Sequence, residues 1–187
     1  MTSSLIPSPR NLLVGSGLLT LMVGLLAGTP SRSQAASAAG PDASAPSLYE
    51  MPDSSVETRW YTFENPKGLK GQAGQARFGR KGAPATGVAA GKSLVLADIE
   101  GSGTIRRIWA TLYYRNPAAL RGLKIEMYWD GAKTPAVQAP FGDFFCQSLG
   151  QMVPFENACF SSPEGRSFNC VVPMPFRKSA RIVLVNE

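Results

Sequence analysis

The sequence predicts an all-β domain built as an antiparallel β-sandwich or jelly roll. From residue 92 onward, short runs of apolar, aromatic and β-branched residues alternate with turns that contain glycine or proline, which is the pattern of such folds. After Leu48, longer segments lack apolar residues at helical spacing, and only Asn116 to Arg121 offers room for one helical turn. We therefore expect short strands joined by tight turns.

Six runs have the composition of β-strands. They span residues 59–63, 93–99, 104–114, 123–129, 168–172 and 181–185. The second and third are separated by a Gly-containing turn at 100–103, which predicts that they pair as an antiparallel hairpin. The fourth alternates apolar and polar residues in its first half, as a half-buried strand does. Residues 173–176 contain two prolines and predict an edge strand or a bend.

Residues 1–38 have the pattern of a signal peptide. Arg10 precedes an apolar run from Leu12 to Gly28, and small residues then give two possible cleavage sites, Ser33-Gln34-Ala35 and Ala36-Ser37-Ala38. The alternative is an uncleaved anchor, because the run is about long enough to span a bilayer; the Ala-rich region after it favours cleavage. We expect export to the periplasm or the cell exterior, without membrane attachment after cleavage.

The remainder divides into a linker and one domain. Residues 39–47 consist of Ala, Gly, Pro, Ser and one Asp, and this composition predicts a disordered linker. Residues 48–187 then form the folded domain, which is long enough for one hydrophobic core. The last strand pattern continues almost to Glu187, so we expect a domain that is truncated on its C-terminal side.

The net charge, the absence of histidine and the spacing of the acidic residues exclude or disfavour several classes of function. The net charge is +6 and there is no histidine. Basic residues are scattered and do not alternate with aromatic residues, so we expect no nucleic-acid partner. Without histidine, Ser-His-Asp and Cys-His catalysis are excluded within this chain, zinc is disfavoured, and carboxylates are the natural acid–base groups. Neither calcium-type acid spacing nor a complete phosphate loop occurs, so we expect no metal and no cofactor.

The chain contains three cysteines, Cys146, Cys159 and Cys170. An oxidising compartment permits one disulfide and leaves one thiol. Which pair forms is open, and three small buried thiols are the alternative.

The stretch Pro140-Phe141-Gly142-Asp143-Phe144-Phe145 is the most distinctive local motif. It places one carboxylate among three aromatic rings. An unpaired charge is costly to bury, so Asp143 is expected at the rim of a pocket, where aromatic faces and an acceptor suit a sugar. In the alternative interpretation the strand ends in a tight turn, Asp143 caps local amides and the phenylalanines fill the core.

Several motifs in a fixed order carry a family resemblance. They are Glu64-Asn65-Pro66-Lys67-Gly68, the segment 96–105 leading to Ile108-Trp109, Tyr128-Trp129-Asp130-Gly131, the segment 140–145, and the segment 173–182. In order and spacing they resemble the N-terminal half of a bacterial domain-of-unknown-function family now classed as glycoside hydrolases. Its members act on α-D-fructofuranosides, including difructose anhydrides, and on D-arabinofuranosides. The resemblance covers residues 59–187.

The resemblance implies two tandem jelly rolls, assembly as homotrimers, and active sites near protomer boundaries. It also implies a retaining mechanism, in which two glutamates with carboxyl groups about 5 Å apart serve as nucleophile and acid/base. In the family these glutamates belong to Gly-Glu-Gly-Asp and Thr-Glu-Asp-Tyr-Phe segments of the second half. Neither segment occurs here, so no catalytic residue is assigned to this chain.

The shared motifs supply candidate substrate-binding residues. Glu64 and Asn65 offer hydrogen-bonding groups for sugar hydroxyls, Asp143 offers an acceptor, and Phe144 or Phe145 offers a stacking face. The alternative for Glu64 and Asn65 is a turn that precedes Pro66.

Two functions follow from these expectations. The first is the N-terminal part of an exported furanoside-acting glycoside hydrolase, inactive without the catalytic glutamates. The alternative is a non-catalytic carbohydrate-binding or trimer-assembly module. A third possibility is an inactive remnant of a disrupted gene.

Trp109 and Trp129 lie in predicted strands, and we expect them in the core rather than on a surface that binds sugar.

Overall fold

A computed structural model describes residues 20–27, 51–80 and 82–187, and in this part of the chain the strands form two antiparallel sheets. The first sheet has the order β2 (Glu57–Tyr61), β1 (Thr20–Ala27), β4 (Gly103–Thr111), β9 (Ser167–Cys170), β8 (Phe160–Ser162), β7 (Phe155–Glu156), with β10 (Met174–Phe176) also paired to β4. The second has the order β3 (Ser93–Glu100), β11 (Ser179–Asn186), β5 (Leu123–Trp129), β6 (Val137–Pro140). The described residues also contain three short helical segments, α1 (Ala76–Gly79), α2 (Pro117–Gly122) and α3 (Phe141–Phe144).

The two sheets share one hydrophobic core, which confirms the predicted all-β antiparallel sandwich. Alternate residues of β5, Leu123, Ile125 and Met127, are buried, as the period of two in a strand requires. They belong to the same buried cluster as Ile105 and Ile108 of β4 in the opposite sheet. The apolar face that the alternation predicts for this strand therefore packs against this core.

The predicted hairpin of the second and third runs is wrong. β3 pairs with β11 in the second sheet, whereas β4 lies in the first sheet. The intervening turn carries the chain from one sheet to the other, because each strand has an apolar face to bury and the two strands reach opposite sides of the core. The N–H of Gly101 donates a 2.8 Å hydrogen bond to the carbonyl of Lys178, which ties this turn to the start of β11.

The expected helical turn is present as α2, and local residues fix where it begins. The side-chain oxygen of Asn116 accepts a 2.9 Å hydrogen bond from the N–H of Ala119, and Pro117 occupies the first helical turn. The Asn116 side chain satisfies one of the amides that the start of a helix leaves unpaired, and Pro117 has no amide N–H to satisfy. This places Arg121 in the last turn of α2, beside the Phe141–Phe144 segment.

The predicted leader lies mostly outside the described residues, as do both cleavage sites and the linker at 39–47. The described part of its apolar run, Thr20–Ala27, forms β1. No helix in the described part of the chain is long and apolar enough to cross a membrane.

The two tryptophans differ in position. Trp129 is partly buried against the core, as expected. The expectation is wrong for Trp109, which is partly exposed and lies outside the core cluster. Its neighbours Ile108 and Ala110 are fully buried, and Trp109, between them in strand β4, projects to the opposite side of the sheet.

Candidate functional site

The Phe141–Phe145 segment turns immediately after β6 and inserts two rings into the core. Phe141 and Phe145 are fully buried, and their ring centroids lie 4.9 Å apart. Both also contact Phe168 of β9, at centroid distances of 5.0 and 5.4 Å. Gly142 is needed for close packing, because an added Cβ would come within 3.0 Å of the Cβ of Leu120. Two of the three aromatic rings around Asp143 therefore stabilise the fold.

Asp143 faces the surface and is paired. Both of its carboxylate oxygens accept hydrogen bonds from Nη1 of Arg121, at 2.8 and 2.7 Å, and its side chain remains 27% exposed. The same Arg121 nitrogen donates to the carbonyl of Ser148 at 3.2 Å. An ion pair that is this exposed adds little to stability, and the carboxylate remains partly accessible to solvent.

An apolar pocket of about 320 Å³ opens beside Phe144. It is lined by residues of both sheets and of α3: Met127, Trp129, Val137, Phe144, Phe160, Val172, Met174 and Pro175. Phe144 is the one predicted site residue in this lining, which contains no charged side chain. Its aromatic and aliphatic walls suit an apolar face of a ligand, and hydroxyl recognition would have to come from groups at the rim.

Asn65 is buried, and its side chain is used within the protein. Its Nδ2 donates to the carbonyls of Trp60 and Leu69 at 3.1 and 2.9 Å, and its Oδ1 accepts from the N–H of Leu69 at 2.9 Å. These bonds close the turn after β2. Asn65 is only 3% exposed. It therefore shapes the turn before Pro66, which is the alternative interpretation of this motif.

Glu64 lies on the same turn and contacts a different segment. Its Oε1 accepts a 3.0 Å hydrogen bond from the N–H of Ala83. The contacts of Glu64 and Asn65 thus reach residues 60–83, whereas Asp143 contacts Arg121 of α2. The two groups of predicted residues have different hydrogen-bond partners, and the pocket lining includes only Phe144 of the five.

A polar cluster on the outer face of the second sheet is not among the predicted site residues. The Glu126 carboxylate accepts hydrogen bonds from the Tyr128 hydroxyl at 2.7 Å and from Nε2 of Gln138 at 2.9 Å. These bonds, led by that of Tyr128, hold the pKa of Glu126 below its ordinary value. Lys124 completes the cluster at 3.4 Å. The signal was present, because alternate positions of a strand share one face.

The three cysteines differ in exposure. Cys146 and Cys159 are exposed, Cys170 is buried, and all are free thiols. Burial raises the pKa of the Cys170 thiol to about 11. In the described part of the chain, no group of three or more His, Cys, Asp or Glu side chains is arranged to hold a metal ion.

Comparison with known families identifies the domain. A family model described as "GH172 first beta-sandwich domain" matches residues 53–187. The chain belongs to the GH172 family. The GH172 match covers every element from β2 to β11, and so contains both groups of predicted site residues, whereas β1 lies outside it. No curated protein matches the chain. Membership of a glycoside hydrolase family indicates a carbohydrate substrate.

Proposed function

We propose that this chain is the N-terminal part of an exported glycoside hydrolase that acts on furanosides, and that it is inactive alone. The match to a GH172 first β-sandwich domain is the observation that carries this proposal. The catalytic glutamates are assigned to the second half of the full-length protein, because their segments do not occur in this sequence. The domain then supplies a rigid wall of the substrate site and a surface for homotrimer formation.

Within that wall, Phe144 and Asp143 are the residues best placed to touch a sugar. Phe144 presents its ring to the apolar pocket, and a furanoside C–H face gains from contact with aromatic carbon. Asp143 offers a partly exposed carboxylate whose position is fixed by Arg121. A carboxylate held by an arginine accepts hydrogen bonds from hydroxyl groups without having to become ordered on binding.

Phe145 supports this site from within the core, whereas Asn65 and Glu64 stabilise a separate turn. Asn65 and Glu64 fix the turn after β2 and the loop up to Ala83, and Phe145 holds the segment that carries Phe144. We assign Phe145 a positioning role at this site, and Asn65 and Glu64 a structural role in their own turn. Their loss should change stability or loop order first and affinity for a carbohydrate second.

Turnover by the isolated chain tests the division of labour between the two halves. We expect no hydrolysis of aryl α-D-arabinofuranosides, aryl α-D-fructofuranosides or difructose anhydrides above the rate without enzyme. Appreciable turnover would show that catalytic carboxylates lie in this chain and would overturn the assignment to the second half.

Calorimetric titration tests the binding residues. Arabinan and fructan oligosaccharides are titrated into the full chain and into the Phe144→Ala and Asp143→Asn variants, with Phe78→Ala as a matched control because the Phe78 ring is fully exposed elsewhere. Loss of one contact between the sugar and an aromatic ring, about 1 kcal/mol, weakens affinity roughly fivefold. Equal affinity in Phe144→Ala and Phe78→Ala would remove Phe144 from the substrate site.

Assembly is the second candidate function, and one surface favours it. Tyr113 and Tyr114 are exposed and pack edge to face at a centroid distance of 4.8 Å. They precede Pro117, against which Gly150 packs, and the neighbouring Leu149 is 89% exposed. Exposed aromatic and aliphatic side chains are typical of protein interfaces.

Light scattering of the purified chain decides whether this surface supports assembly. A trimer that dissociates in Tyr113→Ala and Leu149→Ser, but not in Phe78→Ala, would favour an assembly module. If the chain is a monomer at all concentrations and carbohydrate titration releases no heat, neither an assembly module nor a carbohydrate-binding module is supported.

A further inference from the structure

β1 occupies a central position in the first sheet. Its residues Val23–Ala27 pair antiparallel with β2, and all eight residues from Thr20 to Ala27 pair antiparallel with β4. In the described part of the chain, β1 is the strand that connects β2 to the rest of the sheet. Without it, β2 and β4 would face each other across a gap of two strand spacings, about 10 Å.

The same eight residues belong to the apolar run of the predicted leader. They carry no charge, and they lie outside the GH172 match, whereas both flanking strands lie inside it. Cleavage at either predicted site would separate β1 from the domain. The segment is therefore an addition to the matched domain and not one of its own strands.

Both flanking strands also make contacts that do not involve β1. Tyr61 of β2 is buried in the core at 4% exposure, and Asn65 Nδ2 donates to the carbonyl of Trp60 in the same strand. β4 is fixed by β9 and β10 along its other edge and by the buried side chains of Ile105 and Ile108. Removal of β1 would therefore leave a slot bordered by the edges of β2 and β4.

We propose that β2 and β4 form a strand-acceptor site whose occupant is the chain's own segment Thr20–Ala27. The leader contributes a strand to the domain for as long as it is attached, and its removal opens two strand edges. The segment binds by β-augmentation, in which an extended peptide adds a strand to a sheet. Backbone hydrogen bonds on both sides supply the affinity. The segment must be uncharged and apolar because it enters the body of the sheet. A register shift between Gly24 and Leu25 marks the one irregular step in the pairing with β4.

Cutting the folded chain tests this proposal. A protease site is placed at residues 41–46 of the full chain, the purified protein is cut, and the leader fragment is followed by gel filtration and mass spectrometry. We expect the fragment to remain bound under native conditions and to separate in urea. Release of the fragment without any fall in the urea midpoint of the domain would overturn the proposal.

Proline variants distinguish strand insertion from unspecific adhesion of an apolar peptide. Leu25→Pro removes an N–H within β1 and should weaken retention of the fragment by about 100-fold. Leu13→Pro lies in the same apolar run outside β1 and should leave retention unchanged. Equal retention of both variants would show adhesion without a strand slot.

Paired cysteines test the register independently. Leu25 lies opposite Arg59, and Ala27 lies opposite Glu57. The Leu25→Cys/Arg59→Cys chain should form a cross-linked tryptic peptide under mild oxidation, and the mismatched Leu25→Cys/Glu57→Cys chain should not. Equal yields from the two chains, or no cross-link in either, would overturn the proposed pairing.

Discussion

Oδ1 of Asp130 accepts a 2.7 Å hydrogen bond from the backbone N–H of Lys178, 48 residues further along the chain. The N–H groups of Arg177 and Ser179 donate to the same oxygen, at 2.8 and 3.3 Å. Two motifs that the sequence shows separately, Tyr128–Gly131 and the segment 173–182, therefore meet in one turn that links β5, β10 and β11.

This carboxylate makes stability depend on pH. The Lys178 N–H, with those of its neighbours, holds the pKa of Asp130 below its ordinary value of 3.8. The stabilising contribution is therefore complete above pH 3.8 and is lost as the pH falls through the folded-state pKa. We expect the urea midpoint of Asp130→Asn to vary less below pH 4 than that of the unmodified chain.

The neutral-pH comparison of substitutions separates charge from backbone strain. Asp130 has a φ of +56°, which Asn and Gly tolerate better than Ala. Asp130→Ala should consequently lower the urea midpoint most, Asp130→Gly less, and Asp130→Asn least. An Ala variant as stable as the Asn variant would show that neither the acceptor nor the turn conformation matters.

Removal of the Asn65 side chain should destabilise the fold. Asn65→Ala leaves the carbonyls of Trp60 and Leu69 without that donor in a buried turn, and we expect a loss of about 1–3 kcal/mol in the free energy of unfolding. Glu64→Ala on the same turn should cost less, because its single hydrogen bond to Ala83 lies nearer solvent. Denaturant unfolding of both variants measures the difference, and equal losses would contradict it.

The two adjacent phenylalanines should respond differently to truncation. Phe145 is 1% exposed and contacts four other rings, so Phe145→Ala should cost about 3–5 kcal/mol. Phe144 lines the pocket and already borders empty space, so Phe144→Ala should cost clearly less. Thermal and urea unfolding test this order, and a reversed order would place Phe144 in the core.

Thiol labelling should separate Cys170 from the exposed cysteines. A thiol with a pKa of about 11 is almost entirely protonated at pH 8, and burial also blocks the reagent. We expect iodoacetamide to modify Cys146 and Cys159 within minutes and Cys170 only after urea is added. Peptide mass mapping reads out each site, and early modification of Cys170 in the native protein would contradict its burial.

The same raised pKa predicts a loss of stability in alkali. The neutral thiol of Cys170 favours the folded state fully below pH 9.0, and this advantage disappears as the pH rises toward 11. Cys170→Ala should therefore show a weaker decline of the urea midpoint between these two pH values. An unchanged decline would assign the alkaline loss to other groups.

Local pattern predicted the strands well where one face is buried. Residues 123–129 were expected as a strand and form β5 with those bounds, because period-two alternation reports burial directly. The pairing of strands was harder. Residues 100–103 have the composition of a hairpin turn yet connect two different sheets, since the same turn residues serve an arch over the core as well as a hairpin.

The candidate site was only partly accessible from the sequence. Asp143 was expected near a pocket with aromatic neighbours, but its partner Arg121 lies 22 residues away on α2 and no local signal connects them. Asn65 and Phe145 were chosen by residue type, and residue type does not tell whether an amide or a ring points to solvent or into the protein. The Glu126 cluster lies on the polar face of β5, and the alternation of that strand predicts its apolar face but not which polar side chains bond to one another.

The sequence by itself determined the all-β class, most strand positions and membership of a glycoside hydrolase family, because alternation, turn residues and ordered motifs are properties of neighbouring residues. Only the tertiary structure decided which strands share a sheet, that Asp130 joins two distant motifs, and that Thr20–Ala27 lies between β2 and β4. These relations depend on contacts between residues far apart in the chain, and such contacts are selected by the burial of whole sheet faces and not by local composition.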